Sequence, residues 1–578
     1  MTHPEDLKQN MVMTPENFPR LIRQSIISTK RKILFLLVIP LLLYMMLLPV
    51  IPLTEPDEAR YSDIPSLMNH SGDYVTPRLN HVVYLEKPPL AYWATAFFFK
   101  VLGESEFTSR LFSGLCAWGC ILLVYAMGVF LYDEKTGLYS AAVLSTFLYS
   151  FILGRLNLLD MPLTFFVGLA IWAGFRFFAG NCRRKRWIYL FYFSSALAFL
   201  TKGLVGILLP FAIIGIWLAT QKRWRDMLKL IDLPGIGLFL AVTSPWIILV
   251  QKANSNFLHY FFISQHFLRY TTDAHGRVTM FYYLPVIVLG TVPWLSFFIP
   301  ILWRSTQRAL ILQTFKHSLL LSWMIFILVF FSISSSKMPT YISPVFLPVA
   351  IVFGRAFRLY EEEETSSERG ECRGFLRELP MVIQSLIFLV LLLLPPFLKE
   401  YSVPVREWWP WVTLPILVLM LTVFLTDLVY KRWRKGWFLT TYLLSAVFLG
   451  SIVFPLSRYL TPHKSSLPVA QAIKEFIPAG EELYQYRIYL RGINFYCKIR
   501  TPIVGRPDEI ATGRDLLPPA EKAYYFLSVD KFYHVLREKG ELYCVTKGNS
   551  KFEEMREKAP HLKVIWNNSA FYLLHLQS

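Results

Sequence analysis

Charge is scarce in this chain, and acidic charge scarcer still. Only 17% of its 578 residues are charged while 54% are hydrophobic, more apolar surface than one soluble core can hide. The apolar residues gather in runs of about 20, and the mean hydropathy is +0.41. This excludes a soluble globular protein and describes a polytopic α-helical membrane protein. Against 59 Lys and Arg stand only 40 Asp and Glu, a net charge of +19. That excess does not indicate a nucleic-acid partner, because the basic residues cluster between apolar runs and no basic groove or reader module accompanies them.

Cysteine is rare as well. Of the six, Cys116 and Cys120 lie in an apolar run, Cys182 and Cys372 in polar connections, and Cys497 and Cys544 in the polar tail, with no metal-binding spacing. With the tail outside the cytoplasm, a Cys497–Cys544 disulfide and two unpaired thiols both remain open. A signal-peptide cleavage site is also missing. The basic stretch RLIRQSIISTKRK is followed by ILFLLVIPLLLYMMLLPVIPL, longer than the ~7–15 residues of a signal core, so it reads as an uncleaved first span with a cytoplasmic N-terminus. No internal repeat is visible, which weighs against a transporter built from repeated halves.

The apolar runs place spans at 33–53, 107–131, 135–153, 161–180, 187–201, 203–220, 233–251, 281–303, 318–334, 340–357, 381–398, 410–430 and 436–455. Alternating these roughly thirteen spans from a cytoplasmic N-terminus puts three basic clusters inside: Arg183 to Arg186, then Lys222, Arg223 and Arg225, then Lys431, Arg432, Arg434 and Lys435. Outside fall 54–106, 154–160, 252–280, 335–339, 399–409 and everything beyond about 456. The segment PPLAYWATAFFFKVLG is too short to span and reads as a helix in the membrane interface. The chain thus divides into a membrane domain over 1–457, with its main motifs in the loop 54–106, and a small extracytoplasmic α/β domain over 458–578. In that domain SLPVAQAIKEFIPAG predicts a helix, and ELYQYRIYL, INFYCKIRTPIV, AYYFLSV, LYCVTKG and KVIWNNSAFYLLHL predict strands.

Several cations break the positive-inside rule. The outer loops carry Arg60, Arg78, Lys87, Lys100, Arg110, Arg155, Arg269, Arg277 and Lys337. Cations there oppose insertion, and a membrane-embedded phosphate would compensate them, with Lys as a point charge and Arg as a bidentate fork. Lys100 and Arg110 flank apolar helices and are expected to snorkel to lipid headgroups. Lys87 is different, because Pro88 and Pro89 hold it at a fixed bend. Thr54 and Glu55 read as the polar collar of the first span. Asp57, Arg60 and Tyr61 occupy positions i, i+3 and i+4 and share a helix face, where Asp57–Arg60 is an ion pair or part of a site. Asp160, before Pro162, is a helix N-cap or a functional carboxylate. His266 with Arg269, and Lys337 with Tyr341, meet the same membrane surface. Acids and cations gathered there suit a transferase acting on a phosphate-linked lipid.

The loop from PDEARY onward carries D-E-x-R-Y, S-G-D-x-x-x-P-R-L-N and Y-x-E-K-P-P-L. With GRLNLLDMP, SQHFLRY, FYYLP and SSSKMPTYISPVFLP, these motifs resemble the bacterial 4-amino-4-deoxy-L-arabinose lipid A transferases and the wider dolichyl-phosphate-mannose protein mannosyltransferase-like family. The resemblance implies a GT-C-type inverting glycosyltransferase with interfacial helices, working at the outer face of the bacterial inner membrane as a monomer. Its donor would be a sugar on undecaprenyl phosphate, its acceptor lipid A. Another sugar, a hexose or uronic acid, and another acceptor, lipopolysaccharide core or protein, form the alternative within enzymes. A lipid-linked sugar flippase is the alternative outside them. By the same resemblance Asp57, Lys87 and Asp160 are catalytic, and Arg60, Tyr61, Arg78, Tyr84, Arg269, Lys337 and Tyr341 bind substrate or phosphate. No cofactor is required; Glu86 and His266 match positions that hold an optional zinc or other divalent metal. Asp57 serves a hydroxyl acceptor as general base, or orients a phosphate acceptor that needs none.

Overall fold

The computed structural model describes residues 38–179, 184–268, 280–297, 315–335, 337–366, 405–432, 436–505 and 510–578. In the membrane region these form α1 (Ile39–Met45), α2 (Asp57–Ser71), α3 (Leu90–Leu102), α4 (Glu106–Leu131), α5 (Glu134–Ser145), α6 (Leu148–Gly154), α7 (Asp160–Ala179), α8 (Lys185–Lys202), α9 (Val205–Thr220) and α10 (Leu233–Ala253). They continue with α11 (Tyr283–Gly290), α12 (Phe315–Ile333), α13 (Phe346–Ser366), α14 (Val405–Arg432) and α15 (Trp437–Lys464). Among the described residues five helices are long and apolar enough to cross a membrane, or six if α5 and α6, bent by 63°, form one broken span. The expected span 381–398 lies outside the described residues, and 33–53 and 281–303 are described only in part.

Lipid supplies no hydrophobic drive between apolar helices, so close approach depends on small residues. Gly128 of α4 shows this: a Cβ there would come within 2.7 Å of the Gly137 Cα on α5. In the core of the bundle Trp217, Trp294 and Trp323 are fully buried. The Trp294 indole N–H keeps its hydrogen bond even so, donating to the Thr146 hydroxyl at 2.8 Å.

The loop 54–106 is an ordered layer on this bundle. Helix α2 opens with Asp57 and Glu58 at its positive end and stops at Gly72, whose φ of 72° suits a C-terminal cap. A hairpin follows, β1 (Arg78–Leu79) with β2 (Val82–Val83), whose two-residue turn places Asn80 and His81 at φ 50° and 62°. The segment expected to lie in the membrane interface forms helix α3, 13 residues long, with Phe97, Val101 and Leu102 exposed.

Beyond α15, which runs through the expected boundary to Lys464, lies an α/β unit. Its strands are β3 (Leu483–Tyr486), β4 (Ile503–Val504), β5 (Phe526–Leu527), β6 (Glu541–Lys547), β7 (Lys563–Asn567) and β8 (Phe571–Gln577). They form one sheet in the order β5-β4-β3-β6-β8-β7, parallel from β5 to β6 and antiparallel beyond. Two expected strands are largely helical: Arg491–Cys497 and Pro519–Tyr525 are helices, leaving only the short strands β4 and β5. The run Gly492 to Phe495 is buried throughout, and an unbroken apolar run does not separate a buried strand from a buried helix.

The α/β unit is clamped to the first loop. Glu55 accepts the backbone N–H groups of Gly492 at 2.7 Å and Arg491 at 3.2 Å. Asn80 donates to the Thr501 carbonyl at 3.1 Å and accepts from the Asn494 amide at 2.8 Å. Lys498 pairs with Glu104. Gly513 lies so close to β2 that a Cβ would sit 2.0 Å from the Val83 carbonyl oxygen. Thr54 and Glu55 are therefore more than a collar: Thr54 bridges to Ser465, and Glu55 is a buried anchor whose pKa is raised by burial despite Arg491 and these N–H donors.

Arg110 departs from expectation most sharply. It does not snorkel but is 1% exposed, with Nε 2.7 Å from Glu58 Oε1 and Nη2 2.9 Å from Oε2. Its remaining donors reach the carbonyls of Leu48, Ile51 and Pro52. Burial pushes the Glu58 pKa up, but Arg110, the Asn157 N–H and Thr54 outweigh it and hold it below the usual range. Arg155, another outer cation, donates to the carbonyls of Leu43, Tyr44 and Met46. Cys116, Cys120, Cys497 and Cys544 are all free thiols, which closes the disulfide alternative; Cys182 and Cys372 lie outside the described residues.

Candidate active site

The first turn of α2 brings three expected residues together. Arg60 lies 3.3 Å from Asp57, with the spacing i, i+3 that the sequence predicts. The same guanidinium donates to the Tyr84 hydroxyl at 3.1 Å and stacks near the rings of Tyr61 and Tyr84. Tyr84 passes the chain on, donating to Glu86 at 3.1 Å. Burial opposes charge on Arg60, but Tyr84, Tyr61, Asp57 and Glu86 overcome it and hold its pKa above the ordinary value. This is a fixed cation, 12% exposed, at the loop surface that faces the bundle.

A second group assembles where α7 and α8 meet at the same face. Asp160, the first residue of α7, accepts from Lys202 at 2.6 Å, and Lys202 Nζ lies 4.8 Å from the centre of the Tyr341 ring. At the start of α7, Asp160 is thus engaged with a cation. Tyr61 stands between the two groups: burial raises its pKa, Arg60 opposes, and Asp57, Asp160 and Glu86 all add to the rise. Its hydroxyl therefore stays protonated and can donate. Three carboxylates and the Arg60 guanidinium thus act on one phenol.

Lys202 is the residue that sequence reading missed, although the signal was present. The same alternation that exposes Arg60 puts the short connection between the spans 187–201 and 203–220 outside, and Lys202 is its only charge.

The remaining candidates are placed as follows. Lys87 is half-buried at the bend before Pro88, directly after Glu86. Lys337 is half-buried two residues before the 3-10 turn Pro339–Val345 that carries Tyr341. Arg78 stands apart on β1, 3.8 Å from Asp73, and lines a cavity of about 930 Å³ instead. Tyr84 and Leu85 reach that cavity too, whose other walls include Asn254, Phe257 and Leu517. His266 is described only as backbone in the π-helical segment His259–Leu268, and Arg269 lies outside the described residues. Among the described residues no three His, Cys, Asp or Glu side chains gather around a point, and Glu86 is occupied by the Tyr84 hydroxyl.

A family model for dolichyl-phosphate-mannose-protein mannosyltransferase matches residues 86–249, which include Glu86, Lys87, Asp160 and Lys202. An undecaprenyl phosphate-alpha-4-amino-4-deoxy-L-arabinose arabinosyl transferase of Pectobacterium atrosepticum is 32% identical over 330 residues, 56% of this chain and 58% of that protein. The protein of that name from Pseudomonas aeruginosa is 33% identical over 310 residues, 52% of this chain and 55% of its own. The match thus spans little more than half the length of these relatives. The fold extends further: ArnT from Cupriavidus metallidurans, in a crystal structure bound to undecaprenyl phosphate, superposes with a TM-score of 0.82 at 23% identity, covering 95% of this chain and 98% of that one. Its apo structure gives 0.80. The chain thus shares the fold of ArnT over nearly its whole length, and its residues 86–249 match the dolichyl-phosphate-mannose-protein mannosyltransferase model.

Proposed function

We propose that this chain is an inverting glycosyltransferase of the bacterial inner membrane that moves 4-amino-4-deoxy-L-arabinose from undecaprenyl phosphate to a phosphate of lipid A. The observation that carries this reading is the pair of groups around Tyr61, Asp57–Arg60 and Asp160–Lys202, at one membrane face. Relatives named for that donor and sugar support it. In this reading about thirteen spans begin from a cytoplasmic N-terminus, and the loop 54–106 and the C-terminal α/β unit lie outside the cytoplasm, in a monomer.

The chemistry follows from the groups present. An acceptor phosphate oxygen attacks the anomeric carbon from the face opposite the lipid phosphate; the new C–O bond forms as the old one breaks, inverting the centre and releasing undecaprenyl phosphate. Charge grows on the departing phosphate, where Arg60 and Lys87 stabilise it, with Lys337 and Tyr341 beside the carrier. A phosphate nucleophile is already ionised, so Asp57 does not need to take a proton. Its place beside Arg60 suits it to steady the positive charge developing on the sugar. Asp160, held by Lys202, positions the sugar or acceptor. No step uses a metal; Glu86 and His266 would make at most an accessory cation site.

The test compares lipid A and glycoprotein fractions by mass spectrometry from cells with and without the protein. Lipid A bearing one extra aminoarabinose, absent when Asp57→Asn or Lys87→Ala replaces the wild type at equal membrane abundance, is the expected result. An unmodified lipid A with a glycosylated protein or core fraction selects the alternative acceptor. Full transfer by both variants overturns the assigned centre.

A further inference from the structure

The C-terminal unit has a feature that the proposed reaction does not use. In its sheet, the chain leaves β3 for β4 on one side and returns to β6 on the other, so the direction of winding reverses between β3 and β6. Open α/β sheets bind ligands in the crevice outside the carboxyl ends of the strands at such a reversal.

Cations gather at that end of the sheet. Arg487 directly follows β3, in the left-handed region at φ 51°. Lys547 ends β6, and Lys551 lies three residues beyond Gly548 on the helix Asn549–Lys558. Lys551 donates to the Arg487 carbonyl at 2.7 Å, tying the two strand ends together. Lys547 reaches the His463 carbonyl at 3.4 Å, so this end of the sheet lies beside the C-terminal end of α15. Glu554 is engaged by Tyr486, Arg487 and Lys558 at 3.0, 2.8 and 3.6 Å.

The electrostatics agree with the geometry. Burial lowers the Lys547 pKa, and Lys464 and Lys551 lower it further, with only Glu55 opposing. Lys551 is lowered by burial and then by Arg487, against Glu554. Arg487, Lys464, Lys547, Lys551 and Lys558 therefore face two carboxylates, Glu55 and Glu554. A bound anion would relieve this crowding, and compact ammonium groups beside a guanidinium suit phosphate oxygens.

We infer that the crevice at the carboxyl ends of β3 and β6, between Arg487, Lys547 and Lys551, binds a phosphate group. The phosphate comes either from an anionic lipid headgroup at the membrane surface or from a soluble phosphate ester. This site is separate from Asp57 and Asp160 and does not depend on the identity of the transferred sugar.

Amine-reactive footprinting of the full chain tests it. In phosphatidylcholine nanodiscs, Lys547 and Lys551, with depressed pKa values, should label readily at neutral pH. Adding inorganic phosphate, but not chloride at equal ionic strength, should cut their labelling severalfold while the exposed Lys474 and Lys563 are unaffected. Protection on replacing phosphatidylcholine by phosphatidylglycerol, without added phosphate, assigns the site to a lipid headgroup. In Lys551→Gln the protection of Lys547 should vanish and in Lys551→Arg persist, with Lys563 labelling reporting an intact fold. Unchanged labelling of Lys547 and Lys551 under both phosphate sources overturns the inference and leaves the transferase reading standing.

Discussion

Asp63 should make the clamp between the first loop and the C-terminal unit weaken as pH rises. The residue is 2% exposed on α2, and its Oδ2 accepts the Asn80 N–H at 3.3 Å. Burial raises its pKa to about 7; the Asn80 bond and Lys498 oppose, and Glu55 and Glu104 add to the rise. In the unfolded chain an aspartate titrates near ~3.9. The folded state therefore holds a proton that the unfolded state has released, and stability falls as pH climbs from about 4 to about 7, then levels off. A difference of roughly three pKa units corresponds to about 4 kcal/mol at its ceiling. Asp63→Asn removes the titration and keeps an acceptor for Asn80. The variant and wild type should melt together near pH 4.5, and the variant should melt several degrees higher by pH 8, since ~1 kcal/mol moves a midpoint by about 2–4 °C in units of 150–250 residues. The assay is thermal unfolding in nanodiscs across that range. Parallel curves for the two proteins from pH 4.5 to 8 would refute the reasoning.

Two further outcomes follow from the buried ion pairs. Arg110→Met should cost about 3–5 kcal/mol, because it strands Glu58 in a site 1% exposed, whereas Arg110→Met with Glu58→Met should recover much of that loss; a melting series over the two single variants and the double checks it. Lys202→Met should lower kcat by about 10²-fold, the scale of losing one charge-stabilising donor, with Lys202→Arg partly restoring it; steady-state transfer with purified lipid substrates measures both, and a wild-type kcat in Lys202→Met rules out the role.

The membrane class and most span positions were legible because apolar runs of bilayer length have no other common use. Helices α4, α7, α8 and α10 begin and end within a few residues of the expected spans. The one-face geometry of Asp57 and Arg60 was equally legible, since i, i+3 spacing is local to the helix. The C-terminal strands were less so: Arg491–Cys497 is helical because α2 and the sheet bury it from both sides, and that enclosure is tertiary.

What the sequence could not do was sort its misplaced cations. A charge on the outer side marks a residue that needs compensation, but the nature of the compensation depends on a partner far along the chain. Arg110 finds Glu58 52 residues away and spends every donor inside the fold, while Arg155 turns one end of its guanidinium onto the carbonyls around α1. A cation bound as Arg110 is structural, because nothing remains for a ligand to bind. Lys202 finds Asp160 42 residues away, yet 16% of its side chain stays exposed beside Tyr341. Arg60 likewise holds Asp57 at a distance of 3.3 Å, with that carboxylate 38% exposed. The distinction that separates scaffold from site here is therefore residual exposure of an already paired charge. By that measure Asp57–Arg60 and Asp160–Lys202 keep surface that a ligand can reach, whereas Glu58–Arg110, 1% exposed on both sides, is a buried pair that ties α2 to α4.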